Sequence, residues 1–76
     1  MKREYLIQLR RQRGLTQAKA AKTYGIGEKT LCQLERGKQK RGLYTDTLIL
    51  IANGLGISMA KLLDAEIRYI RERDGV

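Results

Sequence analysis

Glu28, Lys29 and Gln33 carry the hydrogen-bonding groups with the clearest possible chemistry in this chain. A lysine ammonium can donate to guanine, a carboxylate can accept from the cytosine amino group, and a glutamine amide can pair with adenine. This chemistry is recognition rather than catalysis. The sequence contains no histidine and a single cysteine, Cys32, so a histidine-based catalytic or metal site is excluded. We therefore expect no enzyme activity and no cofactor.

Two short helices around a tight turn could present these side chains. Residues 16–37 read TQAKAAKTYGIGEKTLCQLERG, and helical spacing gives each of the two helices one apolar face. The first face would contain Ala20, Ala21 and Tyr24, and the second Leu31 and Leu34. Gly25 can adopt the left-handed conformation that ends the first helix. This pattern is typical of a helix-turn-helix, whose second helix enters the major groove of DNA.

Positive charge is concentrated in the same half of the chain. The net charge is +8, from 16 Lys and Arg against 8 Asp and Glu. Residues 1–41 contain 12 basic and 3 acidic residues, whereas residues 42–76 contain 4 and 5. This asymmetry is expected of a surface that faces DNA phosphates, and it favours double-stranded DNA as the partner.

Length and composition predict one compact cytoplasmic domain over residues 1–76, near the lower size limit for a fold with its own core. The single cysteine cannot form an internal disulfide, which fits a reducing compartment. The longest apolar run, residues 48–52, is too short to span a membrane, and the charged N-terminus lacks the apolar region of a signal peptide. No small-molecule ligand is evident.

Hydrophobic periodicity predicts five helices and no strand, at about residues 2–13, 17–24, 28–36, 46–55 and 59–73. Thr16 and Ser58 are suitable N-caps for the second and fifth helices. Gly54 lies near the end of the fourth helix, where it costs about 1 kcal/mol relative to alanine. The predicted fold class is therefore all-α.

The chain resembles the repressor and Cro proteins of lambdoid phages and the wider XRE-type helix-turn-helix family. The resemblance covers about residues 6–63 and rests on motifs at matching separations. These are RGLTQ at residues 13–17, the turn glycine Gly25, QLERGK at residues 33–38 and LGIS at residues 55–58. The resemblance implies a compact five-helix bundle with a lambda repressor-like DNA-binding domain, in agreement with the helix count.

The resemblance also implies, by position, which residues contact DNA. Base reading would involve the start of the third helix, at Gly27, Glu28, Lys29, Thr30 and Gln33. Phosphate binding would involve the start of the second helix and the loop after the third, at Thr16, Gln17, Lys38, Lys40 and Arg41. Each of these could instead be a solvated surface residue, above all Glu28, which phosphates repel unless it meets a cytosine amino group.

Arg10 and Glu35 have a structural role by the same resemblance. They are expected to form a partly buried ion pair that joins the first helix to the reading helix. Cys32 is expected to be a passive, partly exposed thiol rather than a redox switch.

Four positions depart from the family pattern, which usually has a larger apolar residue at Ala20, Ser or Thr at Gly27, and Leu or Phe at Tyr24 and Tyr44. Ala20 removes volume and the two tyrosines add volume, which predicts a repacked core. Gly27 would leave the third helix without a side-chain cap.

Surplus apolar residues on the last two helices indicate either a two-fold interface or additional core contacts. The candidates for a homodimer interface are Ile49, Leu50, Ile57, Met59, Ile67 and Ile70. Ile67 and Ile70 lie in a possible extension of the last helix over residues 64–76. The alternative for these two residues is that they fold back onto Tyr5 and Met1.

The leading functional hypothesis is a sequence-specific transcription regulator, specifically a repressor that binds an inverted-repeat operator as a homodimer. The alternative is a DNA-binding antitoxin or a protein-interaction module on the same fold. Phage repressors that also activate contact RNA polymerase through acidic residues around the second helix, and that helix has none here. Glu66, Glu72 and Asp74 are the acidic residues that could provide such a contact elsewhere.

Overall fold

Five α-helices follow one another in this computed structural model, which describes residues 1–38 and 42–75. They are α1 (Glu4–Gln12), α2 (Gln17–Tyr24), α3 (Glu28–Arg36), α4 (Thr45–Leu55) and α5 (Met59–Asp74). The described ranges contain no strand, which confirms the predicted all-α class. The predicted helix bounds differ from the observed ones by at most two residues.

Local sequence signals determine where the helices begin and end. The Thr16 side chain accepts a hydrogen bond of 3.2 Å from the Lys19 N–H, and Ser58 caps α5 in the same way. Gly25 and Gly37 end α2 and α3 in the left-handed conformation, with φ angles of 77° and 69°. Gly27 is the N-cap residue of α3 and provides no side-chain hydrogen bond, as its lack of a side chain predicts.

All five helices contribute to one apolar core. α2 packs against α3 and α4, α4 packs against α5, and α1 packs against α3. Ala20 and Ala21 of α2 are fully buried, and their small side chains allow the neighbouring helices to approach closely. The buried cluster consists of Leu6, Ala20, Ala21, Tyr24, Leu31, Leu34, Leu48, Ile51, Ala52, Leu55 and Leu62.

Tyr24 and Gly54 form a complementary pair within this core. Tyr24 is buried, and a Cβ atom on Gly54 would overlap Cδ1 of the tyrosine ring and lie 3.1 Å from Cε1. Gly54 therefore provides the space that the large ring occupies, a packing role that its unfavourable helix propensity does not indicate. Tyr44 is 52% exposed, so the prediction that both tyrosines add core volume is wrong for Tyr44.

We expect Gly54→Ala to lower the free energy of unfolding. Overpacking against Tyr24 costs about 1–3 kcal/mol, which exceeds the gain of about 1 kcal/mol in helix propensity. Asn53→Ala, at an exposed position of the same helix, controls for propensity alone. Urea denaturation of both variants measures the difference. In a Tyr24→Leu background the cost of Gly54→Ala should disappear, and an equal cost in both backgrounds would contradict the proposed complementarity.

α5 folds back against the N-terminal segment through Tyr69. The Tyr69 hydroxyl donates a hydrogen bond of 2.6 Å to the Met1 carbonyl, and the ring centroids of Tyr5 and Tyr69 lie 6.4 Å apart. Ile67 is exposed and Ile70 is half-buried. The alternative in which Ile67 and Ile70 fold back onto Met1 and Tyr5 stays a prediction, whereas the observed contacts to both residues come from Tyr69.

α4 and α5 retain exposed apolar side chains, at Ile49, Leu50, Leu63 and Ile67. Two other interface candidates, Ile57 and Met59, are half-buried and pack against the core. None of the helices in the described part of the chain has by itself the length and apolar character needed to cross a membrane. α4 and α5 have this length and apolar character only when they are taken together, and the two helices are bent by 120° relative to each other.

Candidate nucleic-acid interface

The turn between α2 and α3 sets the angle at which α3 is presented. Gly25 reverses the chain direction, and the Ile26 N–H donates a hydrogen bond of 3.0 Å to the Ala21 carbonyl. The Ile26 side chain is half-buried and packs against the core. A left-handed glycine followed by an apolar anchor thus fixes α3 across α2, which is the geometry of a helix-turn-helix.

α3 divides its residues between the core and the surface. Leu31 and Leu34 are buried, which directs the opposite face of the helix outward. The five residues predicted to read bases are all exposed on that side or at the start of the helix, at Gly27, Glu28, Lys29, Thr30 and Gln33. Their hydrogen-bonding groups are therefore accessible to a large partner.

A shallow surface groove brings most of the candidate contacts together. Its lining consists of Gln17, Glu28, Lys29, Cys32, Gln33, Arg36 and Lys38. The groove thus combines three base-reading candidates with two phosphate-binding candidates from different elements. Thr16, Gly27 and Thr30 are exposed but do not line it. Lys40 and Arg41 lie outside the described residues.

Arg36 lines this groove, although it was not among the predicted contacts. Lys29, Gln33 and Arg36 follow a spacing of four and three residues, which places them on one helix face, and this periodicity could have identified it. Within residues 1–38 and 42–75, Lys29, Arg36 and Lys38 form no ion pair, so their charges can interact with an anion. Cys32 is a half-buried thiol between them.

Glu35 connects three helices through one buried carboxylate. Arg10 Nε donates to Glu35 Oε2 over 2.8 Å and Arg10 Nη2 to Oε1 over 3.1 Å, which forms a bidentate pair. The hydrogen bond to Glu35 raises the pKa of Arg10, so the guanidinium stays charged. Gln17 Nε2 also donates to Glu35 Oε1, over 3.0 Å. The Gln17 amide therefore links the start of α2 to α3.

Part of the basic charge in residues 1–41 is engaged in contacts within the fold, although Arg13 itself is exposed. Arg13 donates a hydrogen bond of 2.7 Å from Nε to the Leu55 carbonyl, at the end of α4. Arg10 is occupied by Glu35, and Arg3 is fully buried. The charge count of this half therefore overstates the positive charge that can face DNA.

A second buried ion pair, between Arg3 and Glu66, was not predicted. Arg3 Nε lies 2.9 Å from Glu66 Oε1 and Arg3 Nη2 lies 3.0 Å from Oε2. The two residues are 63 positions apart, and no local pattern links them. Glu66 was considered as a surface acid for a polymerase contact, and this interpretation is wrong because Glu66 is only 2% exposed.

Comparison with known proteins agrees with this geometry. No curated protein and no solved structure matched the chain. A helix-turn-helix family model matches residues 6–62, which include nearly all of α1, the whole of α2 to α4 and the beginning of α5. This family is a family of DNA-binding domains and not of enzymes. The chain therefore belongs to the XRE-type (Cro/C1-type) helix-turn-helix family of DNA-binding transcription regulators.

Proposed function

We propose that this chain is a cytoplasmic repressor that binds an inverted-repeat operator as a homodimer. The observation that carries the proposal is the groove along α3. It has hydrogen-bonding side chains at the N-terminal end of the helix and exposed cations at the C-terminal end. This arrangement suits a helix that lies in the major groove with its first residues at the base edges and its last turn near the backbone.

Base recognition is assigned to the exposed residues at the start of α3. Lys29 would donate to guanine O6 or N7, Gln33 would pair with adenine, and Glu28 would accept from the cytosine N4 group. Thr30 would touch a thymine methyl group or a phosphate. Gly27, which has no side chain, permits close approach of the DNA backbone to the start of the helix.

Phosphate binding is assigned to two sides of the groove. On one side are Thr16 and Gln17, at the positive end of α2, where unpaired main-chain N–H groups favour an anion. On the other side are Lys38 together with Lys40 and Arg41. Arg36 joins this second group because it is exposed and shares the groove lining with Lys38.

The proposed homodimer uses the apolar surface of α4 and α5. Ile49, Leu50 and Ile67 are each about two-fifths exposed, as is Leu63, which the sequence interpretation did not select. Exposed aliphatic side chains at several positions favour association with another apolar surface. Ile57, Met59 and Ile70 are half-buried and would contribute at the margin of the interface.

Repression, rather than activation, is supported by the charge of α2. The helix exposes Lys19 and Lys22 and has no carboxylate, so it offers no acidic contact to RNA polymerase. Burial of Glu66 also leaves only Glu72 and Asp74 of the three C-terminal acids on the surface. Occlusion of a promoter requires DNA binding alone.

Lys29→Ala and Lys38→Ala should separate base reading from phosphate binding. Lys29→Ala is expected to cost about 1–3 kcal/mol on the best operator and little on random DNA, because it removes a base contact. Lys38→Ala should weaken binding to all duplexes about equally, and Lys40→Ala should behave like it. Titration of each variant against the operator and its single-base variants measures the difference. A uniform loss for Lys29→Ala would contradict the assigned reading face.

Three measurements test the function as a whole. Selection of bound sequences from random DNA should yield two inverted half-sites about one helical turn apart, roughly 34 Å. Gel filtration should show a dimer, which Ile67→Lys should weaken. In a promoter–reporter assay with the selected operator, the chain should lower transcription. Increased transcription from an upstream operator, lost when Glu72 and Asp74 are neutralised, would overturn the repressor assignment.

A further inference from the structure

The C-terminal end of α3 is capped by a residue from the start of the chain. Arg3 Nη1 donates a hydrogen bond of 2.7 Å to the Leu34 carbonyl, and the Arg3 main-chain N–H donates one of 2.8 Å to the Glu35 carbonyl. A helix leaves its last four carbonyl groups without a helical partner, and a cation at this end also interacts favourably with the helix dipole. Arg3 thus donates to two carbonyls of the last turn of α3, and the Leu34 carbonyl also accepts a hydrogen bond of 3.2 Å from the Gly37 N–H.

Gly37, the residue after α3, is held against the same segment. A Cβ atom at Gly37 would overlap both the Met1 carbonyl oxygen and the Tyr69 hydroxyl oxygen. Tyr69 donates to that Met1 carbonyl, and the Arg3 guanidinium lies 4.6 Å from the centroid of the Tyr69 ring. The N-terminal segment and α5 therefore define the position at which the chain leaves α3.

Glu66 holds this arrangement together. Its two carboxylate oxygens accept hydrogen bonds from the Arg3 guanidinium, from the Tyr5 hydroxyl over 2.6 Å and from the Leu43 N–H over 3.0 Å. Burial and the hydrogen bond to Glu66 raise the pKa of Tyr5, so the hydroxyl keeps its proton and continues to donate. Since Leu43 precedes α4, the same network fixes the chain where it leaves α3 and where it approaches α4.

We propose that the Arg3–Glu66 pair is a positioning element for the phosphate-binding end of α3. Arg36 and Lys38 flank Gly37, are exposed, and line the groove. The network holds the Leu34 and Glu35 carbonyls and Gly37 in place, and these groups determine the backbone positions of the two flanking cations. The inference rests on the proposed phosphate contacts of these two residues. Arg3 and Glu66 would not touch DNA, because both are buried.

Energetics distinguish a positioning role from a purely stabilising one. A buried ion pair usually stabilises a fold no more than apolar side chains of similar volume would. An apolar pair, however, cannot donate a hydrogen bond to the Leu34 carbonyl. The double variant Arg3→Met/Glu66→Leu should therefore fold with reduced stability, because the Tyr5 hydroxyl and the Leu43 N–H also lose their acceptor, while releasing the end of α3.

The test measures DNA affinity of this double variant as a function of salt concentration, at a temperature where circular dichroism shows full folding. Loss of one or two phosphate contacts in each subunit should reduce the slope of log affinity against log salt by about 2 to 4 for a dimer. Preference among single-base operator variants should stay within about twofold of wild type, because the start of α3 is not altered. Arg13→Lys, which disturbs a similar arginine cap at the end of α4 but keeps the exposed positive charge, is the matched control and should leave the slope unchanged.

Arg3→Lys provides a second, milder variant. A lysine can retain the ion pair with Glu66 but lacks the planar fork that reaches the Leu34 carbonyl at the same time. We expect a smaller reduction of the slope in the same direction. A wild-type slope in the folded variants, or a loss of base preference at a wild-type slope, overturns the positioning role. A slope near zero for the wild-type chain contradicts the proposed function itself, so the two failures are distinguishable.

Discussion

Raising the salt concentration from 50 to 200 mM is expected to weaken operator binding by about 10⁵-fold. The proposed dimer neutralises about five phosphates per subunit, and each releases condensed counterions, so log affinity should fall against log salt with a slope near −9. This prediction depends on the exposed cations, not on the total charge. Arg3 and Arg10 are paired with buried carboxylates inside the fold and should not contribute to the slope.

Fluorescence anisotropy with the selected operator over this salt range measures the slope. A charged residue at an exposed position of the proposed interface, Ile67→Lys, provides a comparison. If it produces monomers, the slope for one half-site should be about half that of the dimer. A slope near zero, or equal affinity for every duplex tested, would refute sequence-specific binding by this surface.

Arg10→Met is expected to lower the free energy of unfolding by about 3–5 kcal/mol, because it leaves the Glu35 carboxylate buried without its charged partner. The Glu35 side chain is 3% exposed, and within the described residues only Gln17 would still donate to it. A domain of this size has a total stability of roughly 4–11 kcal/mol, so the variant should lose much of its resistance to urea.

Two comparison variants test whether the lost stability arises because the Glu35 carboxylate is buried. Arg68→Met removes an exposed ion pair with Asp64, and such pairs contribute about 0–1 kcal/mol. The double variant Arg10→Met/Glu35→Leu removes both charges and should recover most of the lost stability. If Arg10→Met and Arg68→Met cost the same in urea denaturation, the Arg10–Glu35 pair is not the buried bridge described here.

The elements of this fold could be predicted because their signals are local. Thr16 and Ser58 are caps whose partners lie three residues away, and Gly25 and Gly37 mark helix ends through their own backbone conformation. The exposed position of Lys29 follows in the same way from the burial of Leu31 and Leu34 on the opposite face of one helix.

Contacts between distant segments could not be predicted, since they depend on the angles at which the helices cross. The Arg3–Glu66 pair requires α5 to return to the N-terminus, and helical periodicity does not report that path. Glu66 was therefore interpreted as a surface acid. Gly54 was likewise evaluated by its helix propensity, although its significance lies in the Tyr24 ring on another helix.

The Tyr24–Gly54 pair also restricts the order in which this core can change during evolution. Starting from a leucine at position 24 and an alanine at position 54, a tyrosine introduced first would meet the Cβ atom of the alanine. A glycine introduced first costs only about 1 kcal/mol of helix propensity and opens the space in advance. The accessible mutational path therefore runs through glycine. Once the tyrosine is in place, reversion of Gly54 to alanine is destabilising, so the two positions should vary together among descendants of this sequence.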